Sequence, residues 1–277
     1  MPRARNGAVE IEYQAFGDPA NEAVLLINGL GSQMTRWPEP FCALLVAKGL
    51  YAIRFDNRDT GLSSWCEGQS YNVDDMAADG AAVLDALGKR QAHIVGVSMG
   101  GMIAQVFAAN YPRRTLSLTS IMSNTGNPDA PPPNVALLNA RPLDPADPNF
   151  IADTVARAEA IGSPGYPWPP GALAARARAE AERAFNPPGI RRQMDAVGAS
   201  GDRRPKLATI KAPTMVLHGA DDPLVPVAGG RDTAANIAGA ELRIVPGMGH
   251  DLPPALYDIF IDTISRAVER ARAKATA

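Results

Sequence analysis

Gly96-Val97-Ser98-Met99-Gly100 spells G-x-S-x-G, and the flanking sequence gives this pentapeptide its meaning. A largely apolar run, residues 92–95, precedes it, and a segment with helical spacing, residues 102–110, follows it. Within a strand, sharp turn and helix of this kind, the middle serine is held exposed on a strained turn. Both positions need glycine, because a side chain there would collide with the neighbouring strand or helix. The pattern predicts that Ser98 is a nucleophile at the carboxyl end of a central strand.

The base that activates such a serine is expected among the three histidines of the chain. After this kind of turn, the acid and then the histidine follow the nucleophile in chain order. His93 lies in the run that feeds the turn, and His218 ends another apolar run, so both are expected to be structural. His250 follows a strand-like segment through Pro246-Gly247-Met248-Gly249, whose glycines let the loop carry the ring over the sheet. We therefore predict that His250 is the general base.

The acid is expected in Gly219-Ala220-Asp221-Asp222-Pro223-Leu224-Val225-Pro226, the loop that follows the apolar run ending at His218. A carboxylate there can hold the imidazole in the required tautomer and stabilise the imidazolium. The spacing of Asp222 from the first glycine and the last proline resembles the acid-bearing loop of a known fold, and this resemblance favours Asp222. Asp221 is more typical of a turn-forming or solvated residue.

Two other aspartates, Asp129 and Asp251, compete with Asp222 for the role of the acid. Asp129 follows the preceding predicted strand and could also orient a histidine, so it stays an alternative. Asp251 is adjacent to His250 in sequence and is poorly placed to orient its own neighbour. We expect Asp251 to be a solvated loop carboxylate.

The composition indicates a globular chain with a small net charge. The 277 residues are 46% hydrophobic, and the formal net charge is −2 at pH 7. This balance gives no argument for binding nucleic acid or an anionic membrane surface. No apolar run of about 18 residues could span a bilayer. Residues 1–6 are basic but are not followed by the apolar region of a secretory signal, so a cytoplasmic location is expected.

Potential metal ligands and cofactor motifs are scarce. Cys42, expected on a helix, and Cys66, expected in a loop, are the only cysteines. More cysteine or histidine at ligand spacing would be expected for a disulfide framework or a metal site. No phosphate-binding glycine-rich loop is recognisable. The sequence predicts two free thiols, no metal and no cofactor.

Strand-like and helix-like segments alternate along most of the chain, which predicts a mostly parallel α/β sheet with helices on both faces. Strands are predicted at residues 9–15, 23–27, 51–55, 92–95, 116–122, 214–217 and 242–245. Helices are predicted at residues 41–48, 74–87, 102–110, 232–237 and 256–273. The predicted core domain comprises residues 1–123 and 210–277.

The alternation fails between residues 124 and 209. This stretch holds more than half of the 25 prolines, around helix-like pieces near residues 151–161 and 172–184. Its apolar side chains, among them Phe150 and Trp168, argue against a disordered linker, because they can be buried. We predict that residues 124–209 form an inserted helical cap over the site, with proline-rich connections.

These features together resemble the α/β-hydrolase family over nearly the whole chain outside the predicted cap. Besides the turn and the order of the triad, Asp56-Asn57-Arg58-Asp59-Thr60-Gly61-Leu62-Ser63 is similar to the family's D-x-R-G-x-G-x-S loop. Asp59 replaces the more usual glycine of that loop. The resemblance implies that Asp56 and Arg58 are scaffold residues rather than participants in the chemistry.

Three short stretches also resemble the methylesterases of anthracycline biosynthesis. They are Phe16-Gly17-Asp18-Pro19, Arg58-Asp59-Thr60-Gly61 and Gly247-Met248-Gly249-His250. This likeness does not by itself identify the substrate.

The family resemblance also implies where the tetrahedral oxyanion would be bound. One donor is expected to be the backbone amide of Met99, the residue after the nucleophile. The second is expected from Leu30 in the loop Asn28-Gly29-Leu30-Gly31-Ser32, which resembles the histidine-glycine loop of such hydrolases. Asn28 stands where histidine is common, which puts a bracing hydrogen bond from that position in doubt. Loss of one oxyanion donor typically costs on the order of 10²- to 10³-fold in rate.

The function implied is a serine carboxylesterase that works through an acyl-enzyme. Ser98 would attack the ester carbonyl while His250 takes its proton. A serine nucleophile argues against epoxide hydrolases and haloalkane dehalogenases, which resemble this fold but use a carboxylate. Lactonases, carbon–carbon bond hydrolases, cofactor-free haloperoxidases or perhydrolases, and some acyltransferases use the same triad. Fold and triad leave these alternatives open.

An alternative from another class is a small-ligand-sensing protein with little turnover, since the fold alone does not fix a function. On either reading the expected partner is a small molecule, an ester for the enzyme. No nucleic acid and no membrane span are expected. The oligomeric state cannot be inferred from these residues.

Overall fold

The computed structural model describes residues 2–138 and 144–276. Met1 and Ala277, at the ends of the predicted core, and residues 139–143 of the predicted cap lie outside the described residues. Within the described range, eight strands form one sheet. They are β1 (Arg3–Asn6), β2 (Val9–Phe16), β3 (Glu22–Ile27), β4 (Leu50–Phe55), β5 (Ala92–Val97), β6 (Thr115–Ile121), β7 (Thr214–Gly219) and β8 (Glu241–Val245).

The strand order is β1-β2-β4-β3-β5-β6-β7-β8. β1 and β2 form an antiparallel hairpin, β2 pairs with β4 antiparallel, and every later pair is parallel. The predicted mostly parallel α/β sheet is confirmed. β1 was not predicted, because its four polar or small residues carry no apolar alternation.

Helices lie on both faces of this sheet. Those in the described residues are α1 (Glu39–Ala47), α2 (Val73–Ala86), α3 (Met99–Asn110), α4 (Phe150–Ala160), α5 (Ala172–Arg183), α6 (Pro187–Ser200), α7 (Arg204–Leu207), α8 (Val227–Ala235) and α9 (Tyr257–Ala275). None of the described helices is long and apolar enough to cross a membrane.

The two faces of the sheet explain why β3 is apolar at every central position. Successive side chains of a strand point to opposite faces. Leu25 and Ile27 join the apolar cluster that contains residues of α2 and α3. Val24 and Leu26 join a second cluster that contains residues of α1 and α9. A strand buried on both faces therefore reads as a continuous apolar run.

Four loops that carry predicted site residues follow β3, β5, β7 and β8. These strands run parallel to one another, so their carboxyl ends lie at the same edge of the sheet. Ligand sites of open α/β sheets form at this edge. The topology therefore gathers residues 28–32, Ser98, residues 220–226 and residues 246–250 from distant parts of the chain.

The segment between β6 and β7 contains α4, α5, α6 and α7. α4 and α5 correspond to the helix-like pieces predicted near residues 151–161 and 172–184, whereas α6 was not predicted. A start signal for α6 is present: the Asn186 side chain accepts the Gly189 N–H at 3.3 Å, and prolines occupy the first helical positions. Glycines within α6 weaken its helical pattern and hid the helix.

Candidate active site

Ser98 lies on the turn between β5 and α3 in a conformation that few residues adopt. Its φ of 57° is in the left-handed region, which non-glycine residues rarely occupy. Its N–H donates to the carbonyl of Ile121 in β6 at 2.9 Å, so the turn is anchored to the neighbouring strand. Strain of about 1–3 kcal/mol in such a residue persists only where the surroundings impose it, typically at a functional site.

The two glycines of G-x-S-x-G are required by close backbone approaches. A Cβ on Gly96 would lie 2.0 Å from the carbonyl oxygen of Gly100. A Cβ on Gly100 would lie 2.2 Å from the carbonyl oxygen of Ile27 in β3. Real Cβ atoms do not approach backbone so closely, so both positions need glycine, as the sequence predicts.

The structure brings the predicted nucleophile, base and acid into one hydrogen-bonded chain. His250 Nε2 lies 2.9 Å from Ser98 Oγ. His250 Nδ1 lies 2.7 Å from Asp222 Oδ2. Since a carboxylate only accepts, Nδ1 carries the proton in the neutral ring, and Nε2 faces the serine hydroxyl as an acceptor. This arrangement can transfer the serine proton to the imidazole.

Asp222 is fixed and kept ionised by its surroundings. Its Oδ1 accepts the N–H groups of Leu224 and Val225 at 2.9 and 2.8 Å. Burial acts to raise its pKa, but hydrogen bonds with His218 and His250 outweigh burial and lower the pKa of Asp222 to about 2. Near neutral pH the carboxylate is therefore charged, as stabilisation of an imidazolium requires.

The rival aspartates occupy other environments. Asp221 Oδ2 accepts the backbone N–H of Gly247 at 2.7 Å, so it stabilises the loop that carries the histidine without reaching the ring. The Asp129 side chain is 84% exposed and lies 3.8 Å from Arg204. Of the aspartates considered for the acid, Asp222 is the one that contacts the His250 ring.

The other two histidines are buried, as expected for structural residues. His93 Nδ1 lies 2.8 Å from Ser117 Oγ, and burial lowers the pKa of His93 to about 4. His218 has an additional contact that the sequence analysis missed: its Nε2 lies 2.9 Å from the Val225 carbonyl and 3.5 Å from Asp222 Oδ2. The position of His218 directly before the acid loop was the available signal. His218 thus contacts the same carboxylate oxygen, Asp222 Oδ2, as the His250 ring does.

The loop 28–32 lies directly against the predicted nucleophile. A Cβ on Gly29 would lie 3.2 Å from Ser98 Cβ, so glycine permits this approach. Within the described chain, the backbone N–H groups of Leu30 and Met99 donate no hydrogen bond to protein. Met99 follows Ser98 directly and Leu30 follows Gly29, so both unused amides belong to segments next to Ser98 and are candidates to bind an oxyanion.

Asn28 does not brace this loop through its side chain. Its carbonyl oxygen accepts a hydrogen bond from Asn57 Nδ2 at 3.0 Å. Its buried Nδ2, by contrast, has no partner among the residues that the structure describes. The exchange of histidine for asparagine therefore leaves the bracing of the loop to other residues.

The segment that follows α4 holds the loop that carries His250. The carbonyl of Ile161 accepts the backbone N–H of His250 at 2.7 Å. Ser163 Oγ accepts the backbone N–H of Gly249 at 2.9 Å. The predicted cap is therefore in direct contact with the backbone of the predicted base.

The expectation that Asp251 is a solvated loop residue was wrong. Its carboxylate accepts hydrogen bonds from Ser163 Oγ and, at 2.8 Å, from Trp168 Nε1. Burial raises the pKa of Asp251, although these hydrogen bonds act in the opposite direction. Local sequence gave no indication of this, because both partners come from the distant segment between α4 and α5.

Asp56 and Arg58 are scaffold residues, as the family resemblance implies. Asp56 Oδ1 accepts the backbone N–H of Met34 at 2.7 Å, and its Oδ2 pairs with Arg183 of α5 at 2.7 Å. Arg58 forms a two-pronged pair with the buried Asp79, at 2.7 and 2.8 Å. Neither residue contacts Ser98 or His250.

Asp59 keeps the left-handed backbone of the glycine that it replaces, with φ of 67°. Its carboxylate forms a two-pronged pair with Arg192 of α6, at 2.6 and 2.9 Å. It also accepts hydrogen bonds from Tyr71 Oη and from the backbone N–H of Cys66, each at 2.8 Å. The departure from the family pattern thus supplies an anchor between core and α6.

A cleft between α4, α5 and the core borders the loop 28–32 through Gly31. It contains about 120 Å³ of free volume and is partly open to solvent. Phe150, Phe185 and Ile190 contribute apolar surface, and Thr60 contributes from the core. Ser98, Asp222 and His250 do not line this cleft, so it does not contain the predicted triad.

The described residues offer few groups for metal or thiol chemistry. Across the described ranges, no cluster of three or more histidine, cysteine or acidic side chains could hold a metal ion. Cys42 and Cys66 are both buried and free. Burial raises the pKa of Cys42 to about 11, so its thiolate is disfavoured.

Comparison with known proteins agrees with this architecture. A family profile described as the alpha/beta hydrolase fold matches residues 22–162. The chain is 31% identical to rhodomycin D methylesterase DnrP of Streptomyces peucetius, over 91% of this chain and 93% of the relative. It is 28% identical to 3-oxoadipate enol-lactonase 2 of Acinetobacter baylyi, over 86% of this chain and 85% of the relative.

A solved structure with the same architecture is that of the meta-cleavage product hydrolase CumD from Pseudomonas fluorescens. It superposes with a TM-score of 0.80 over 98% of both chains, at 20% sequence identity. At this identity the likeness concerns the fold alone.

Proposed function

Because the chain belongs to the alpha/beta hydrolase family, we propose that it is a serine hydrolase that cleaves carboxylic esters through an acyl-enzyme intermediate. The sequence-based recognition of the family and of its methylesterase likeness is confirmed. The observation that carries the proposal is the continuous hydrogen-bonded chain from Ser98 through His250 to Asp222. The proposal is that hydrolysis depends on Ser98 as the nucleophile, with His250 as the base and Asp222 as the acid.

Acylation begins when Ser98 Oγ attacks the ester carbonyl carbon and its proton passes to His250 Nε2. Asp222 stabilises the resulting imidazolium. The carbonyl electrons move to oxygen, and the oxyanion accepts hydrogen bonds from the Leu30 and Met99 amides. When the tetrahedral intermediate collapses, the bond to the alcohol oxygen breaks. His250 gives its proton to that oxygen, and the alcohol leaves.

Deacylation repeats these steps with water as the nucleophile. His250 removes a proton from water, which attacks the acyl carbon bound to Ser98 Oγ. The same two amides, of Leu30 and Met99, stabilise the second oxyanion. The bond between acyl carbon and serine oxygen then breaks, and Ser98 recovers its proton from the imidazolium. The products are one carboxylic acid and one alcohol for each ester and water consumed.

The proposed substrate is a small-molecule carboxylic ester. Similarity to DnrP, whose name describes a methylesterase, supports methyl esters as the first substrates to test. The apolar cleft beside Gly31 supports an apolar group in the substrate.

Lactone hydrolysis is a second candidate, since a lactone is a cyclic ester and is opened by the same steps. The 28% identity to an enol-lactonase over most of both chains favours it. Carbon–carbon bond hydrolysis also stays a candidate, because the chain is 30% identical to a 2-hydroxy-6-oxononadienedioate hydrolase of Burkholderia vietnamiensis over 87% of this chain and 85% of the relative. The likeness to CumD adds nothing to this candidate, since it is limited to the fold.

Residues 124–209 are proposed as a cap over the site. This is supported by the hydrogen bonds of Ile161 and Ser163 to the histidine loop. It is also supported by the pair between Asp59 and Arg192. The cytoplasmic location stays a prediction.

The proposal is tested with a panel of methyl, nitrophenyl and thio esters and lactones, together with a serine-directed fluorophosphonate. We expect turnover and rapid labelling of the native protein, and loss of both in Ser98→Ala. Unchanged ester turnover in Ser98→Ala would remove the assignment. If the native protein binds esters but neither turns them over nor reacts with the probe, the ligand-sensing alternative is favoured.

A further inference from the structure

The side chain of Gln193 in α6 is fully buried and makes three hydrogen bonds to the core. Its Oε1 accepts the backbone N–H of Gly31 at 2.8 Å. Its Nε2 donates to the carbonyl of Arg58 and to Thr60 Oγ1, each at 2.8 Å. The reverse orientation of the amide would set N–H against N–H at Gly31 and oxygen against oxygen at Arg58. The network therefore fixes one orientation.

Gly31 belongs to the turn that presents the Leu30 amide. The N–H of Ser32 donates to the carbonyl of Gly29 at 3.2 Å and closes this turn. Gly31, at its third position, has φ of 61°, as a type II turn requires. The flanking peptide groups of such a turn are tied by the closing hydrogen bond, whereas the central peptide can rotate between turn types. That central peptide carries the Gly31 N–H.

Gln193 therefore holds the one peptide of the turn that the turn itself leaves free. Without this bond the turn loses its attachment to α6, so the turn as a whole can shift relative to Ser98. The Leu30 N–H, which belongs to the Gly29–Leu30 peptide of the same turn, would shift with it, and the proposed mechanism aims this N–H at the oxyanion. An oxyanion donor is effective only when its direction is set before the reaction.

Neighbouring contacts make α6 a fixed support for this side chain. Arg192 forms its two-pronged pair with Asp59, and Asn186 Nδ2 donates to the carbonyl of Asp59 at 3.1 Å. A Cβ on Gly189 would lie 2.4 Å from that same carbonyl oxygen, so the helix lies directly on the loop. Gln193 is thus presented from a helix that is anchored one residue away.

From these contacts we propose that Gln193 is a positioning residue for the oxyanion hole. Through it, the cap sets the direction of the Leu30 amide and takes over the bracing that Asn28 does not supply. The inference rests on the proposed serine-hydrolase function, because it concerns the oxyanion of that reaction. On this proposal, α6 of the proposed cap positions an oxyanion donor in addition to covering the site.

The direct test is Gln193→Met, which keeps a side chain of similar length and removes all three hydrogen bonds. Gln33→Met is the matched control. Gln33 is also a buried glutamine with three bonds between core and cap: Nε2 donates to the Glu180 and Ala184 carbonyls at 2.7 and 2.9 Å, and Oε1 accepts from Arg183 at 2.7 Å. Its side chain contacts no amide of the turn 29–32.

The readouts are kcat, KM and the inhibition constant of a trifluoromethyl ketone, whose serine adduct carries an oxyanion. For Gln193→Met we expect kcat to fall about 10- to 100-fold, less than or similar to the loss of a whole donor. KM should change by less than about threefold, and inhibitor affinity should fall in parallel with kcat/KM. Gln33→Met should show no such parallel loss.

Thermal unfolding of each variant shows whether it is folded. If Gln193→Met does not fold, Thr60→Val is used instead, since it removes one partner of Gln193 at similar volume. A fall in kcat with a matching fall in inhibitor affinity supports the proposal. Unchanged kcat and inhibitor affinity in the folded variant overturn it, as does a Gln193→Met variant that behaves like Gln33→Met.

Ser98→Ala, measured alongside, separates failure of this inference from failure of the function. If native turnover does not depend on Ser98, the serine-hydrolase proposal fails, and the inference fails with it. If turnover depends on Ser98 but Gln193→Met retains native kcat and inhibitor affinity, only the positioning role is overturned.

Discussion

The carbonyl of Ile161, the residue that follows α4, accepts the backbone N–H of His250 at 2.7 Å. The predicted base is thus held through its ring by Asp222 and through its backbone by the segment that follows α4. Asp251 extends this attachment by accepting hydrogen bonds from Ser163 and Trp168. The position of His250 therefore depends on packing of the segment after α4 as well as on the loop after β8.

Removal of the Asp251 carboxylate should loosen this attachment. In Asp251→Ala the half-buried Trp168 and the buried Ser163 hydroxyl lose their acceptor, which costs about 1–3 kcal/mol for an unsatisfied buried group. We expect a lower free energy of unfolding in urea and a several-fold lower kcat.

Asp251→Asn is the matched control, because its amide oxygen can still accept from Trp168 and its amide nitrogen can donate to Ser163 Oγ. It should retain most of the stability and activity. Equal losses in the two variants would mean that the hydrogen bonds of Asp251 do not hold the loop.

Asp222→Asn should reduce turnover far more than Asp221→Asn. The amide at position 222 cannot stabilise an imidazolium and can favour the wrong ring tautomer, so kcat should fall by about 10³- to 10⁴-fold. The Asp221 side chain accepts the backbone N–H of Gly247 and does not reach the His250 ring, so its amide variant should lose less than about tenfold. Steady-state kinetics on one ester measure both. Comparable losses would contradict the assignment of the acid.

Acid titration should reveal the lowered pKa of Asp222. Its pKa is 3.8 in the reference state and about 2 in the folded protein. A lowered pKa means that the group contributes stability above pH 4, and that this contribution is lost as the pH falls towards 2. The loss amounts to about 2 kcal/mol at most, from the size of the shift.

The measurement is the free energy of unfolding of native protein minus that of Asp222→Asn, followed from pH 5 to pH 2. We expect this difference to decrease on acidification, because the variant has no carboxyl group to protonate at that position. A difference that stays constant over this range would show that Asp222 is not stabilised as a charged group.

Local patterns predicted the parts of the protein that local physics determines. The apolar runs of β3, β5 and β7 follow from burial on both faces of the sheet. The turn at Ser98 could be predicted because the close backbone approaches on either side of it require glycine. The expected order of the triad along the chain, with the acid and then the histidine after Ser98, left few candidates for these two residues. These are features in which neighbouring residues carry the relevant information.

Contacts between distant segments could not be predicted in this way. Nothing near Gln193 in sequence indicates that its amide meets Gly31, and Asp251 was taken for a solvated residue because Trp168 is far away in the chain. α6 was missed because its glycines weaken the helical pattern. In each case tertiary packing, rather than local propensity, decides the outcome.

The pair between Asp59 and Arg192 should be strongly coupled. The Asp59 side chain is fully buried, so Arg192→Met leaves a buried charge without its partner and should lower the free energy of unfolding by about 3 kcal/mol. Asp59→Gly restores the residue typical of the family and suits the left-handed backbone at this position.

We therefore expect the double variant, Asp59→Gly with Arg192→Met, to be more stable than Arg192→Met alone. Denaturant unfolding of the four proteins forms the double-mutant cycle that measures the coupling. Strictly additive effects would show that the ion pair does not anchor α6.

The proposed mechanism requires a covalent acyl-enzyme intermediate at Ser98. The direct measurement is rapid quenching of the native protein during turnover of an activated ester, followed by mass spectrometry of the intact chain and of its peptides. We predict a mass increase equal to one acyl group, located on the peptide that contains Ser98 and absent in Ser98→Ala. An acyl group on a different residue, or continued turnover by Ser98→Ala, would contradict the account.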